Sequence, residues 1–456
     1  PVLSRMYGPE AFGMLAVFAA IATVLGSVAT GRYETAVTLP EDDRDGAALV
    51  VLSGAVALGA GVLTAGLVTL GGGPVADWLG VPAIAPWFWA LPVVVSVFGI
   101  RQGLSYWATR RQRYRTAAAG VVMDSVGSIG VPLVLGVLGW LALGGLVAGR
   151  IVAVCLAALL LAVVLLWRDV AALTAGFDGP RIRAVARRFR DLPRYAAQTS
   201  FVNSLSAALL PLLVTKMFEV AIAGVLLFSM RLVLRPVSVI VSSVWQVGHS
   251  QLPTLDPPAQ KRLLNDIHRV VSLALALPTA VAVLYADVTP WIFGDRWDAL
   301  PVYLAPIVLL GYFNGVSNAT SYFAVFGRFK DQAWVNITLI VVRAAGILGG
   351  GLAAGSLGAV WAYSLGSALV YLGVNVYWGK VLDMREEFAR NIGLGLILCF
   401  GVMALARLGG SLGPVVGAVS FVIGVAVCAG GVFALLGKAR IDRVLQSVRS
   451  RKKPTK

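Results

Sequence analysis

The residues of this sequence that could do chemistry are five arginines inside long apolar stretches: Arg101, Arg150, Arg231, Arg235 and Arg343. Arg231 and Arg235 are four residues apart, so a helix presents them on one face, and Pro236 follows directly. A guanidinium at membrane depth costs about 2.5–3.5 kcal/mol or more unless it meets water, a partner or an anion. We therefore expect a buried partner or ligand, negatively charged, close to these side chains.

The apolar stretches hold far more buried positive charge than negative charge. Asp124 is the one carboxylate deep within such a stretch. This excess predicts a central cationic cavity for a substrate that carries phosphate or pyrophosphate, because the guanidinium fork matches phosphate oxygens. We expect Arg231 and Arg343 to contact the substrate, with Arg235 and Arg101 assisting. Alternatively, the arginines bond backbone carbonyls or extend towards the membrane surface.

Asp124 could couple transport to H⁺ or Na⁺, or it could pair with one of the arginines, and we favour pairing. Arg32 and Glu34 lie at the predicted end of a helix and could gate the cavity. No cofactor and no metal site are expected, because the three cysteines lie far apart in apolar stretches and the two histidines match no ligand pattern.

The elements that must position these residues are membrane-spanning helices. Of 456 residues, 58% are hydrophobic and 13% charged, and the apolar residues come in blocks long enough to cross a bilayer. The predicted spans are residues 11–30, 47–70, 85–109, 116–138, 143–167, 195–217, 220–247, 269–285, 300–326, 333–350, 357–378, 389–406 and 412–436. Only a short apolar stub precedes Arg5, so we expect most of a first helix to be missing, which would give fourteen spans in all.

The distribution of basic residues predicts the orientation of these spans. Taken alternately, one set of connections holds 29 lysines and arginines and the other holds 4, with 5 inside spans. Cytoplasmic connections carry such an excess. We therefore expect a protein of the cytoplasmic membrane with both termini of the complete chain in the cytoplasm. The net charge of +16 then reflects the lysines and arginines of the cytoplasmic face, and no nucleic acid partner is implied.

An internal repeat divides the chain. Residues 1–7 (PVLSRMY) align with residues 212–218 (LLVTKMF), Gly13 aligns with Gly224, and Trp78 aligns with Trp291, at offsets of 211 to 213 residues. A parallel repeat is typical of transporters whose two lobes rock about a site near the membrane midplane. We expect an all-α polytopic membrane protein with two pseudo-symmetric six-helix lobes and two added C-terminal helices.

The predicted domains are an N-lobe (1–168), a linker (169–194), a C-lobe (195–382), two further spans (383–437) and a basic cytoplasmic tail (438–456). In the linker, Ile182, Val185 and Phe189 recur at helical spacing among arginines. This pattern predicts an amphipathic helix lying on the anionic surface of the inner leaflet, and a solvated basic loop is the alternative.

Five motifs, in order along nearly the whole chain, resemble those of a known family. They are residues 5–13 (RMYGPEAFG), 32–40 (RYETAVTLP), 192–195 (LPRY), the series Ser229-Met230-Arg231, Pro236 and Trp245-Gln246-Val247, and residues 292–297 (IFGDRW). On these residues the chain resembles the oligosaccharide flippases (Wzx-type, polysaccharide biosynthesis proteins) of the multidrug/oligosaccharidyl-lipid/polysaccharide exporter superfamily. Arg101 and the short first helix depart from the family's pattern.

The resemblance implies a flippase that moves polyisoprenyl-pyrophosphate-linked oligosaccharide to the outer leaflet of the inner membrane by alternating access. The product would serve the assembly of O-antigen (lipopolysaccharide), capsule or exopolysaccharide. The expected partners are the lipid-linked oligosaccharide, membrane lipids and a polysaccharide polymerase complex.

Two other classes of function remain open. A drug/cation antiporter of the same superfamily would want buried carboxylates, whereas this chain has an excess of arginines. A membrane glycan polymerase or ligase would be an enzyme, but the predicted outward connections are about 15 residues or shorter and leave no room for a catalytic domain. We therefore expect a transporter and not an enzyme.

Overall fold

The computed structural model describes residues 2–139, 144–252, 255–284 and 292–411. In these ranges the regular structure is helical, without a β-strand. Nine helices of this described part are long and apolar enough to cross a membrane, or ten if one bent pair counts as a single span. The predicted class, an all-α protein with many membrane spans, is confirmed.

The α-helices are numbered here in chain order. The first eight are α1 (Val2–Met6), α2 (Pro9–Val28), α3 (Asp43–Trp78), α4 (Ala85–Phe88), α5 (Leu91–Arg110), α6 (Tyr114–Val137), α7 (Gly145–Thr174) and α8 (Gly179–Arg188). The others are α9 (Ala197–Met217), α10 (Val220–Gln251), α11 (Pro257–Leu284), α12 (Leu300–Ser317), α13 (Ala319–Val325), α14 (Phe329–Leu382) and α15 (Arg385–Ser411).

Three of the structure's breaks and bends differ from continuous straight helices. Helix α14 covers the predicted spans 333–350 and 357–378, and it is broken at Ala354 and at Gly355, where φ is +64°. The predicted span 300–326 is divided into α12 and α13 by Asn318, which has φ of +31°. The predicted span 85–109 consists of α4 and α5 with a 49° bend between them. Gly and Asn are the residues that tolerate such left-handed conformations.

The predicted span 412–436 and the basic tail 438–456 lie outside the described residues.

The chain forms two compact units. Of the described residues, those within 2–228, 292–298 and 343–359 belong to the first unit, and those within 229–284, 299–342 and 360–411 belong to the second. In the first unit α6 packs on α7, α3 on α5 and α2 on α9, whereas in the second α11 packs on α12 and α15. The division into lobes 1–168 and 195–382 stays a prediction.

The two glycines that the repeat aligns, Gly13 and Gly224, lie against each other's helices in the first unit. A Cβ on Gly13 would overlap the carbonyl oxygen of Val220, and a Cβ on Gly224 would overlap the carbonyl oxygen of Pro9. Pro9 and Val220 are also 211 residues apart, so the two contacts are reciprocal. Reciprocal contacts arise between segments that are related by a two-fold axis. The segments around Gly13 and Gly224 are therefore related by a local pseudo-two-fold axis at the crossing of α2 and α10.

The linker contains the predicted amphipathic helix, but its apolar side does not face lipid. In α8, Val185 is only 2% exposed and packs with Val37, Leu49 and Trp107, and Ile182 and Phe189 pack against the same cluster. Arg181 Nη1 contacts carboxylate oxygens of Asp42 and Asp45, each at 2.8 Å. The prediction that this apolar face lies on the membrane surface is therefore wrong, because protein covers it.

Candidate functional site

The predicted arginine pair lies on an exposed polar face of α10 in the second unit. Arg231 and Arg235 are both exposed, and the same face continues through Ser238, Ser242, Gln246 and His249. These residues follow one another at intervals of three or four, which is the spacing of one helical face. A polar face along a membrane helix is stable beside water and not beside acyl chains. This face of α10 is therefore a candidate for the wall of the cationic cavity that the sequence predicts.

A cavity of about 370 Å³ opens beside this face within the second unit. Ser238, Ser242, Gln246 and His249 line it from α10, and Asn314, Asn318 and Ser321 line it from α12, the break and α13. Its volume lies within the roughly 300–1,000 Å³ of small-molecule sites. In the sequence, Gln246 stands out only as part of a motif, and nothing there singles out Asn314 or Asn318. The regular spacing of polar residues along α10 was the signal that could have found the face.

Arg343 is buried in the first unit, as its central position in a span predicts. Its side chain lies on α14, the residue is 8% exposed, and Nη1 donates a hydrogen bond to Ser206 Oγ of α9 at 2.8 Å. Ser206 is itself buried. This hydrogen bond orients the guanidinium of Arg343 against α9.

Asp124 and Arg101 come together with Arg150 in the first unit. Arg150 Nη1 donates to both carboxylate oxygens of Asp124 at 3.0 Å, and the two side chains are 31% and 23% exposed. Arg101 interacts electrostatically with both groups and lies 5.3 Å from the ring centre of Phe98. Its Nε is buried without a hydrogen-bond partner in the described structure. The cluster therefore holds two arginines and one carboxylate, and a net positive charge remains.

The predicted gate residues form an ion pair in a strained turn, with Glu34 buried and Arg32 partly exposed. Glu34 is 2% exposed, its carboxylate lies 3.3 Å from Arg32 Nη1, and it accepts a hydrogen bond from the hydroxyl of Thr30. Gly31 and Arg32 both have positive φ, of 60° and 64°. A non-glycine residue in this region is uncommon and concentrates at functional sites.

A second cavity adjoins this turn. It measures about 560 Å³ and is lined by Val28, Gly31, Pro193, Ala197, Gln198, Phe201 and Val202. The lining includes the glycine of the strained turn, so a change in the Arg32–Glu34 pair would alter the wall of the cavity. A gating role for the pair stays a prediction.

Outside the membrane spans, Asp42 is held in its ionised form. The backbone N–H of Arg44 and the side chain of Arg181 donate hydrogen bonds to its carboxylate, and they lower the pKa of Asp42. This carboxylate fastens α8 to the start of α3.

Comparison with known proteins adds two findings. A family model described as polysaccharide biosynthesis protein matches residues 2–301. A solved structure, described as the inward-facing conformation of a multidrug resistance MATE family transporter of the MOP superfamily, aligns with a TM-score of 0.58 at 16% identity. The alignment covers 85% of this chain and 94% of that one, and at this identity it establishes the fold alone. A search of curated proteins found no match.

Proposed function

This chain belongs to the polysaccharide biosynthesis protein family, and we propose that it is a flippase for polyisoprenyl-pyrophosphate-linked oligosaccharide. It has the fold of a membrane transporter, and neither its family nor its fold is that of an enzyme. The proposed direction is from the cytoplasmic to the outer leaflet of the cytoplasmic membrane, by alternating access. The oligosaccharide would then enter the assembly of a surface polysaccharide.

The observation that carries the proposal is the cationic, polar face of α10. Arg231 and Arg235 are exposed on one side of a helix that is long and apolar enough to span the membrane. The Cα atoms of two residues four positions apart are separated by about 6 Å along the helix axis. One pyrophosphate can therefore accept hydrogen bonds from both guanidinium groups. A lipid-linked pyrophosphate supplies negative charge that complements the two arginines of this face, and it also supplies a polyisoprenyl chain suited to the bilayer.

The other predicted substrate contacts, Arg343 and Arg101, belong to the first unit, and their contact with the substrate stays a proposal. Arg343 is oriented by Ser206, and Arg101 is the cation that the Asp124–Arg150 pair leaves in excess. We propose that these charges help the anionic substrate to enter hydrocarbon depth, because each lowers the cost of burying phosphate there. Asp124 would act as the partner of Arg150.

The test is deletion of the gene in its host with two assays on the same cells. One assay measures surface polysaccharide, and the other measures the leaflet in which lipid-linked oligosaccharide accumulates. We expect surface polysaccharide to be lost and complete repeat units to be trapped on the cytoplasmic side.

Two other outcomes would overturn the proposal. Repeat units trapped on the outer side would indicate a polymerase or ligase step. Intact polysaccharide together with new sensitivity to cationic drugs would indicate a drug/cation antiporter.

A further inference from the structure

The cavity beside α10 has a lining that differs in chemistry from the arginines next to it. The face of α10 changes from guanidinium at Arg231 and Arg235 to hydroxyl, amide and imidazole from Ser238 onward. Asn314 and Ser321 supply further neutral groups from the opposite wall, and Trp245 also lines the cavity. Neither a carboxylate nor a lysine or arginine is among the lining residues of this described cavity.

The backbone is strained at the point where it contributes to the cavity wall. Asn318 separates α12 from α13 and has φ of +31° and ψ of +48°. Its side-chain Nδ2 is buried without a hydrogen-bond partner in the described structure. An unpaired buried donor is unfavourable, and Asn318 also lines the cavity, so a rotation of its side chain towards a ligand oxygen there would be favoured.

The hydroxyl groups on α10 are also arranged to accept hydrogen bonds. Ser238 Oγ donates to the carbonyl oxygen of Arg235 at 2.8 Å, and Ser242 Oγ donates to that of Val239 at 3.1 Å. Their protons are therefore engaged by the helix, and their lone pairs remain available to donors in the cavity. Together with amide groups, which both donate and accept, such a lining complements the hydroxyl groups of an uncharged sugar.

We propose that this cavity is a binding site for the neutral sugars next to the pyrophosphate of the transported lipid, and that it favours uncharged over acidic sugars. The proposal rests on the proposed flippase function, and it adds the site and the charge preference. Ser238 follows Arg235 by three residues, about 4.5 Å along the helix axis. A substrate that is anionic at one end and hydroxyl-rich beyond it matches this order of groups along α10. An acidic sugar would place its carboxylate against a lining whose described side chains include neither lysine nor arginine.

The experiment measures binding by the purified full chain in nanodiscs with two probes. The first is lipid-linked oligosaccharide extracted from the host, and the second is the same polyisoprenyl pyrophosphate without sugar. The variants are Ser242→Leu, whose side chain would fill the cavity, and Ser243→Leu as a matched control. Ser243 is the next residue of α10, is also exposed and also donates to the carbonyl oxygen of Val239, but it does not line the cavity.

We expect Ser242→Leu to weaken binding of the oligosaccharide probe by about tenfold or more and to leave binding of the sugar-free probe within about twofold. Ser243→Leu should change neither. Retained binding of the sugar-free probe also shows that each variant is folded. A third variant, Asn318→Gly, keeps the left-handed backbone and removes the amide, and it should also weaken only the oligosaccharide probe.

Each contrary outcome identifies which proposal fails. If the wild type binds both probes and Ser242→Leu behaves like Ser243→Leu, the sugar site is overturned and the flippase function stands. If Ser242→Leu weakens both probes equally, the cavity does not distinguish sugar from pyrophosphate, and the sugar site is again overturned. If the wild type binds neither probe, the flippase function is overturned and the sugar site with it.

Discussion

Arg231 and Arg235 are the residues on which the proposed transport most depends, because they are exposed on a membrane-spanning helix. Arg231→Ala should lower surface polysaccharide export by about 10- to 100-fold or more, since a bidentate, charge-assisted contact is lost. The protein should remain in the membrane at wild-type abundance. Arg183→Gln is the control, because Arg183 is also an exposed arginine but belongs to another helix, α8. Wild-type export by the Arg231→Ala variant would refute its role.

Variants of the Asp124–Arg150 pair distinguish a structural role of Asp124 from a role in coupling transport to an ion. Asp124→Asn leaves two arginines without their carboxylate and should lower stability by about 1–3 kcal/mol, measured as thermal unfolding in detergent. The double variant Asp124→Asn/Arg150→Gln should recover most of this stability and most of the transport. A double variant that is stable but inactive would instead indicate that Asp124 couples transport to an ion.

At the scale of helices, the crossing of α2 and α10 depends on two glycines. Gly13→Ala and Gly224→Ala should each lower stability by about 1–3 kcal/mol or more, because the added methyl overlaps a backbone carbonyl oxygen that cannot move alone. Gly66→Ala is the matched control, since Gly66 lies within α3 and a Cβ there meets nothing within 4 Å. Equal thermal unfolding of all three variants would contradict the reciprocal contact.

Helix α8 is held to the start of α3 by Arg181, and this contact should depend on pH. The folded protein lowers the pKa of Asp42, so the stabilisation is present above the usual aspartate pKa, about 4, and is lost as pH falls through the lower folded value. The protection of α8 amides against hydrogen exchange, relative to their intrinsic exchange rates at the same pH, should fall at such acidity, and Arg181→Gln should lower it already at neutral pH. If exchange in Arg181→Gln matches that in Arg183→Gln, Arg181 does not hold the helix.

Hydropathy predicted most spans because a membrane helix must be apolar over its whole length. The sequence could not show that α14 joins two predicted spans or that Asn318 divides another, since these depend on single backbone conformations. It also misplaced the apolar face of α8, because an amphipathic helix has the same pattern whether lipid or protein covers it. The arginines were identified from residue type alone, whereas the partners Ser206 and Arg150 required tertiary structure.

At the scale of the whole molecule, the contacts of the first unit agree with the predicted topology. Connections that the charge distribution assigns to one side meet one another, through Arg110 with Asp43, Arg113 with Asp169, and Arg181 with Asp42. Connections assigned to the other side also meet one another. Arg5 lies next to Gly294, and Lys216 lies 5.2 Å from the ring centre of Trp78. The two sets are thus separate in this unit, and which of them is cytoplasmic stays a prediction.

The proposed function is the movement of a lipid-linked pyrophosphate across a bilayer. The most direct measurement uses the purified full chain in proteoliposomes that contain host lipid-linked oligosaccharide, with the glycan exposed in the outer leaflet measured over time. We expect the wild type and Arg183→Gln to move the glycan between leaflets and Arg231→Ala to move it about 10- to 100-fold more slowly. Wild-type proteoliposomes that are no faster than protein-free liposomes would contradict the claim.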